Sequence, residues 1–200
     1  MNKKELVKEK IGKAAMQCFE KYGLDKTTLD DIAQSIGLNK ASLYYYYKNK
    51  EDIFIEVALK EGEDYIASLQ QKALLKKGIE NQVWFYMHSR FNYYKNILNM
   101  NRVSVETLNK ILPRFFELYD ALMKKEKKFL TQLVADAVRN GELISTKAAS
   151  IADVLINISD ALKHSTEQKA ILKGESDVDY TQSINDMKFL VSVIFKGLKR

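Results

Sequence analysis

Apolar residues in the first quarter of the chain recur at helical spacing, in short bursts. Ile11, Ala14, Ala15, Cys18, Phe19 and Tyr22 form the i, i+3, i+4, i+7 stripe of an amphipathic helix, and Gly23 is placed to cap its end. A second helix, barely two turns long, begins in TTLDDIAQSIG. Leu29, Ile32, Ala33 and Ile36 make its apolar face, Thr28 and Asp31 have capping-box spacing, and Gly37 stops it. Asn39 caps a third helix, predicted over Lys40–Tyr47. Two short helices joined by a glycine turn, with small Ala33 at their crossing, make a helix-turn-helix.

The rest of the chain is helical throughout, with breaks expected near Gly78, Pro113, Gly141 and Gly174. One stretch carries Val83, Trp84, Phe85, Tyr86, Met87, Phe91, Tyr93 and Tyr94, bulky groups on nearly every side, and so predicts a helix surrounded by others. Pro113 suits the first turn of the next helix, where its missing N–H costs little. That helix carries Phe115, Phe116, Tyr119, Leu122, Met123, Phe129, Leu130, Leu133 and Val134. Near the C-terminus, Ile151, Leu155, Ile158 and Leu162 form one seam, and Ile184, Met187, Val191, Ile194 and Leu198 another, both at steps of three and four. Such seams pack within one chain or build a four-helix interface across a twofold. The predicted fold is all-α, with a three-helix module over 1–50 and a larger helical domain over 51–200.

Composition agrees. One Pro and eight Gly in 200 residues favour long helices over many short strands. The single cysteine, Cys18, excludes an internal disulfide framework and lies in an apolar stripe, so it reads as a core residue. No apolar run is long enough to span a membrane and the first residues do not resemble a signal peptide, so a soluble, cytoplasmic protein is expected. The net charge is +6, and residues 1–50 hold ten Lys against six Asp or Glu, which places +4 of it in the first quarter. A basic module beside a nearly neutral body points to a polyanion.

The third helix supplies the chemistry. Tyr44, Tyr45, Tyr46 and Tyr47 are consecutive, and at about 100° per residue they cannot all be core. Leu43 and Tyr47 fit the inward face, which turns Tyr44 and Tyr45 outward and leaves Tyr46 at the edge. With Lys40, Ser42 and Lys50, these phenols suit a DNA major groove, and Ala41 leaves the backbone free to approach bases.

These residues resemble the DNA-binding module of the tetracycline-repressor (TetR) family of bacterial regulators. The resemblance runs from Ile11 to about Ile53 and is carried by Thr28, Ile32, Ala33, Gly37, Leu43, Tyr44 and KNKEDI. Tyr46 stands where the family usually has His, and Tyr47 where it has Phe. The resemblance implies a DNA-facing set of Thr28, Lys40, Ala41, Ser42, Tyr44, Tyr45, Tyr46 and Lys50. It implies a homodimer through the two C-terminal seams and a small-molecule effector bound in the C-terminal domain, where Trp84, Met87, His88, Phe91, Phe115, Tyr119 and Met123 are the candidates. A ligand-responsive repressor of a palindromic double-stranded operator is the function it implies.

No nucleophile–base pair, metal-ligand spacing or phosphate loop supports catalysis, so neither enzymatic activity nor a cofactor is expected. KKEKK at Lys124–Lys128 reads as a solvated face. A helical small-molecule or lipid binding protein or enzyme without specific DNA readout, or an architectural DNA binder indifferent to sequence, remains the alternative.

Overall fold

The computed structural model describes residues 3–100, 103–175 and 177–200, apart from the side chains of Tyr94, residues 97–100, Phe116 and Leu118. Two rings counted in the sequence, Tyr94 and Phe116, therefore lie outside the described side chains. Eight helices are found among these residues: α1 Lys3–Tyr22, α2 Leu29–Ser35, α3 Lys40–Tyr44, α4 Lys50–Leu74, α5 Ile79–Met100, α6 Val105–Arg139, α7 Ala148–Lys173 and α8 Thr181–Leu198. None of them is long and apolar enough to cross a membrane.

The chain forms two compact units, each discontinuous in sequence. The first comprises Met1–Gly62 with Asn96–Leu118, the second Glu63–Lys95 with Tyr119–Arg200.

In the first unit α1 packs on α2 and α2 on α3. Ile11, Phe19, Ile32, Leu43 and Ile53 are fully buried there. A Cβ on Gly12 would stand 2.6 Å from the Val57 side chain, so α1 meets α4 where only glycine fits. Gly37 takes φ +69° and turns the chain between α2 and α3, while the Leu38 amide donates back to the Ala33 carbonyl at 2.9 Å. Ala33 itself is buried, as the close crossing demands.

Three boundaries differ from the sequence reading. Helix α1 starts at Lys3, well before its apolar stripe, and its early turns are tied to the rest of the unit through the Lys8 pair with Glu56. Helix α3 ends at Tyr44 instead of Tyr47, Tyr45 serving as its C-cap. Pro113 lies deep inside α6, not in its first turn, and there withholds one backbone hydrogen bond. The missed start is marked by Ser104, whose hydroxyl accepts the Thr107 amide at 3.2 Å.

In the second unit α7 packs on α8. Glu142, in the loop after α6, accepts the Ile79 amide at 2.7 Å and so caps α5. The C-terminus is tied to the same loop by a bridge between Leu143 and Lys199.

Candidate functional site

Around the turn of the first unit, local capping fixes the register of the third helix. Thr28 accepts the Asp31 amide at 3.2 Å, and the Asp31 carboxylate accepts the Thr28 amide at 2.8 Å, closing the expected capping box. The Thr28 hydroxyl and amide together hold the Asp31 carboxyl below its usual range. Asn39 accepts the Ser42 amide at 2.8 Å and starts α3.

That register sorts the four tyrosines. Tyr45 is 73% exposed and Tyr44 50%, Tyr46 is half-buried, and Tyr47 is 5% exposed. Tyr47 is held in place by its hydroxyl, which donates to Glu56 Oε1 at 2.8 Å. Lys8 donates to Glu56 Oε2 at 2.6 Å and stands 4.7 Å from the Tyr47 ring centre. Burial, then the Glu56 carboxylate, pushes the Tyr47 phenol far up, so it stays a neutral donor. The rings of Tyr45 and Tyr46 meet edge to face at 5.0 Å, and Lys4 lies 5.7 Å from the Tyr45 ring centre. Lys4 was not singled out from the sequence. Its signal, a basic first turn continuous with the α1 stripe, is weak without knowing that α1 ends up beside α3.

The cations and hydroxyls of the expected DNA-facing set are more committed than their residue types suggest. Lys50 Nζ donates to the carbonyls of Asp25 and Thr27, both at 2.8 Å, so it ties down the loop before α2. The Thr28 hydroxyl donates to Asp31 at 2.7 Å. Lys40 pairs with Asp30 at 2.7 Å on the surface, a pairing weak enough for a phosphate to replace. Ala41 is exposed and Ser42 half-buried.

The second unit holds a feature the sequence reading missed. Arg90 of α5 is buried and donates from Nε to Glu126 Oε1 at 2.8 Å, from Nη1 to Ser159 at 3.1 Å, and from Nη2 to Tyr119 at 2.5 Å and Asp160 Oδ1 at 2.9 Å. Glu126 also accepts the hydroxyls of Tyr86 at 2.9 Å and Tyr119 at 2.7 Å. Burial alone would lower the Arg90 pKa, yet the carboxylates of Glu126 and Asp160 and the Tyr119 phenol raise it further above its ordinary value. Lys163 is also buried, and loss of hydration pulls its ammonium below the usual range against the opposing pull of Asp160. Glu126 is the middle residue of KKEKK. Lys124, Lys125 and Lys128 face solvent as expected and Lys127 is half-buried, but Glu126 itself has no exposed surface.

Of the ligand candidates, Met87, Phe91 and Tyr119 are buried, and Trp84, His88, Phe115 and Met123 half-buried. Tyr119 joins the polar cluster, and Phe91 meets Tyr180 edge to face at 5.8 Å. Trp84 stacks on His88 at 5.0 Å. Phe115 belongs to the first unit and the other six to the second.

Part of each C-terminal seam faces its own chain. Leu155, Met187 and Val191 are buried within the chain, because the packed face of α7 is Ala152, Leu155, Ile156, Ser159, Lys163, Glu167 and Ala170. Helix α8 buries Ser183, Met187, Val191 and Phe195 in strict steps of four. Ile151, Ile158, Leu162, Ile184, Ile194 and Leu198 are half-buried at the edges. The large apolar residues left open are Val154 and Leu172 on α7 with Phe189 and Val193 on α8, the last two 72% and 53% exposed.

Fold and turn together define an all-helical protein of the helix-turn-helix class. Residues 11–57 match the model of bacterial regulatory proteins of the tetR family. Over 48 residues it is 52% identical to the biofilm operon icaADBC HTH-type negative transcriptional regulator IcaR of Staphylococcus epidermidis, covering 24% of this chain and 26% of that protein. The match thus spans about a quarter of that relative's length. Over nearly the whole chain the fold is similar to two crystal structures, each with a TM-score of 0.73. One is a transcriptional regulator from Cytophaga hutchinsonii, 22% identical and covering 96% of this chain and 98% of that one. The other is a TetR-family transcriptional regulator from Pectobacterium atrosepticum, 11% identical and covering 100% and 98%.

Proposed function

We propose that the chain is a homodimeric transcriptional repressor that binds a palindromic operator and releases it on binding a small effector. In this reading residues 1–50 read DNA, and residues 51–200 bind the effector and dimerise. The observation that carries it is the outward presentation of Tyr44 and Tyr45 on a capped third helix, whose inward anchors are Leu43 and Tyr47. Phenols and Lys40 donate to phosphates, and a ring can lie on a thymine methyl. Lys4 joins this set through its contact with Tyr45. Thr28 and Lys50 act one step back, holding the turn. IcaR, similar over the same module, is described as a negative regulator, which favours repression over activation.

For dimerisation the open stripe of Val154, Phe189 and Val193 on α7 and α8 offers an apolar surface flanked by the half-buried Ile158, Leu162 and Ile194. A twofold there would present two recognition helices, with half-sites roughly 34–36 Å or a multiple apart. An effector binding more tightly to a dimer with another spacing weakens DNA binding by its differential affinity.

The test is a duplex selected from a random pool by the purified chain, then titrated beside its scrambled version. A palindrome favoured by about 10³-fold or more is expected. Equal affinity for both duplexes defeats the specific reading and leaves an architectural binder.

A further inference from the structure

Helix α1, the turn after α3 and helix α4 meet at one carboxylate of the first unit. Glu56 of α4 accepts the Tyr47 hydroxyl on Oε1 at 2.8 Å and the Lys8 ammonium of α1 on Oε2 at 2.6 Å. Lys8 also stands 4.7 Å from the Tyr47 ring centre, so each of the three side chains touches the other two. A phenyl ring at position 47 would bury the same apolar surface. What the hydroxyl adds is a bond to a charged acceptor, which has a defined direction.

One turn earlier on the same face of α1, Lys4 stands 5.7 Å from the ring centre of Tyr45. Lysines four apart on α1 thus face tyrosines two apart, Lys4 beside Tyr45 and Lys8 beside Tyr47. The two pairs differ in charge and exposure. Lys8 is half-buried and neutralised by Glu56. Lys4 is exposed beside an exposed ring, and among the described residues it pairs with no carboxylate. An exposed cation–π contact is too weak to hold the end of a helix by itself, so the bonds at Glu56 fix the register of both pairs.

We propose that Glu56 is a positioning residue for DNA binding. By holding Tyr47 and Lys8 together it sets the Lys4 ammonium beside the outward Tyr45 ring, and the two meet the same stretch of phosphate backbone. Lys4 brings the charge, Tyr45 a hydroxyl donor, and the first turn of α1 becomes part of the interface. The polyanion rests on the repressor reading; the clamp is a property of the free chain.

The test measures what Lys4 contributes in three backgrounds of the full chain: unsubstituted, Tyr47→Phe and Glu56→Ala. Binding of the selected palindrome is followed across salt concentrations. In the unsubstituted chain Lys4→Ala is expected to weaken binding about threefold or more and to reduce the dependence of log K on log salt by about one. In Y47F and in E56A the same substitution is expected to cost less than about twofold, since an unclamped Lys4 contributes little. A merely structural Glu56 would lower the melting temperature and leave the Lys4 contribution intact. Amide hydrogen exchange over residues 7–10 of the free protein reads the clamp without DNA, and is expected to quicken about fivefold or more in both variants. Equal Lys4 contributions in all three backgrounds, or unchanged exchange, overturn the proposal. Y47F alone decides it where E56A does not fold. An unsubstituted chain that selects no duplex defeats the repressor reading instead, with exchange still deciding the clamp.

Discussion

Tyr45 shows most of its surface to solvent and Tyr47, two positions on, almost none, although both are the same residue type in the same charged stretch. Position on the helix decides the difference, and Glu56 and Lys8 fix it by holding Tyr47. A similar division occurs within KKEKK. Glu126→Ala is expected to lower stability by about 3–5 kcal/mol, since it strands Arg90 without its closest carboxylate. Lys124→Ala, which removes only an exposed pair with Asp120, is expected to stay within about 0.5 kcal/mol. Denaturant unfolding of both variants checks this, and equal losses would contradict the burial of Glu126. Side-chain directions on α3 are legible in the sequence because they depend on neighbours within one turn. The partners of Lys50 and Thr28 are not, because loop carbonyls and a capping carboxylate compete there with any phosphate. Nor is the Arg90 cluster, whose members are far apart in sequence and look like solvated charges until three helices meet.

At the level of the helix, Gly23, Gly37, Gly78, Gly141 and Gly174 all take positive φ, so these stops can be read directly. Pro113 misleads because a proline signals a helix start only when nothing upstream is helical, and α6 begins earlier, at Val105 behind the Ser104 hydroxyl. The seams on α7 and α8 mislead differently. A step of three and four identifies an apolar side but not its partner, and Leu155, Met187 and Val191 face their own chain. The open stripe is rotated from the expected one because Ser159, Lys163 and Glu167 occupy the packed side of α7. Val193→Glu is therefore expected to convert the proposed dimer to monomer while leaving helicity intact, as read by light scattering behind size exclusion and by circular dichroism. A V193E protein that remains dimeric would place the interface elsewhere.

For the whole molecule, the all-helical class and the helix-turn-helix follow from the sequence. The division into compact units does not, because Asn96–Leu118 joins the first unit from far along the chain. The proposed mechanism asks one body to read DNA and another to pair subunits and bind an effector, with release arising from a shift between subunit arrangements. All of it depends on the outward tyrosines meeting DNA. The most direct measurement is the affinity of Tyr45→Ala for the selected palindrome, beside the unsubstituted chain and at the same salt concentration. The account predicts a loss of about tenfold or more, at an unchanged melting temperature. An unchanged affinity would contradict it.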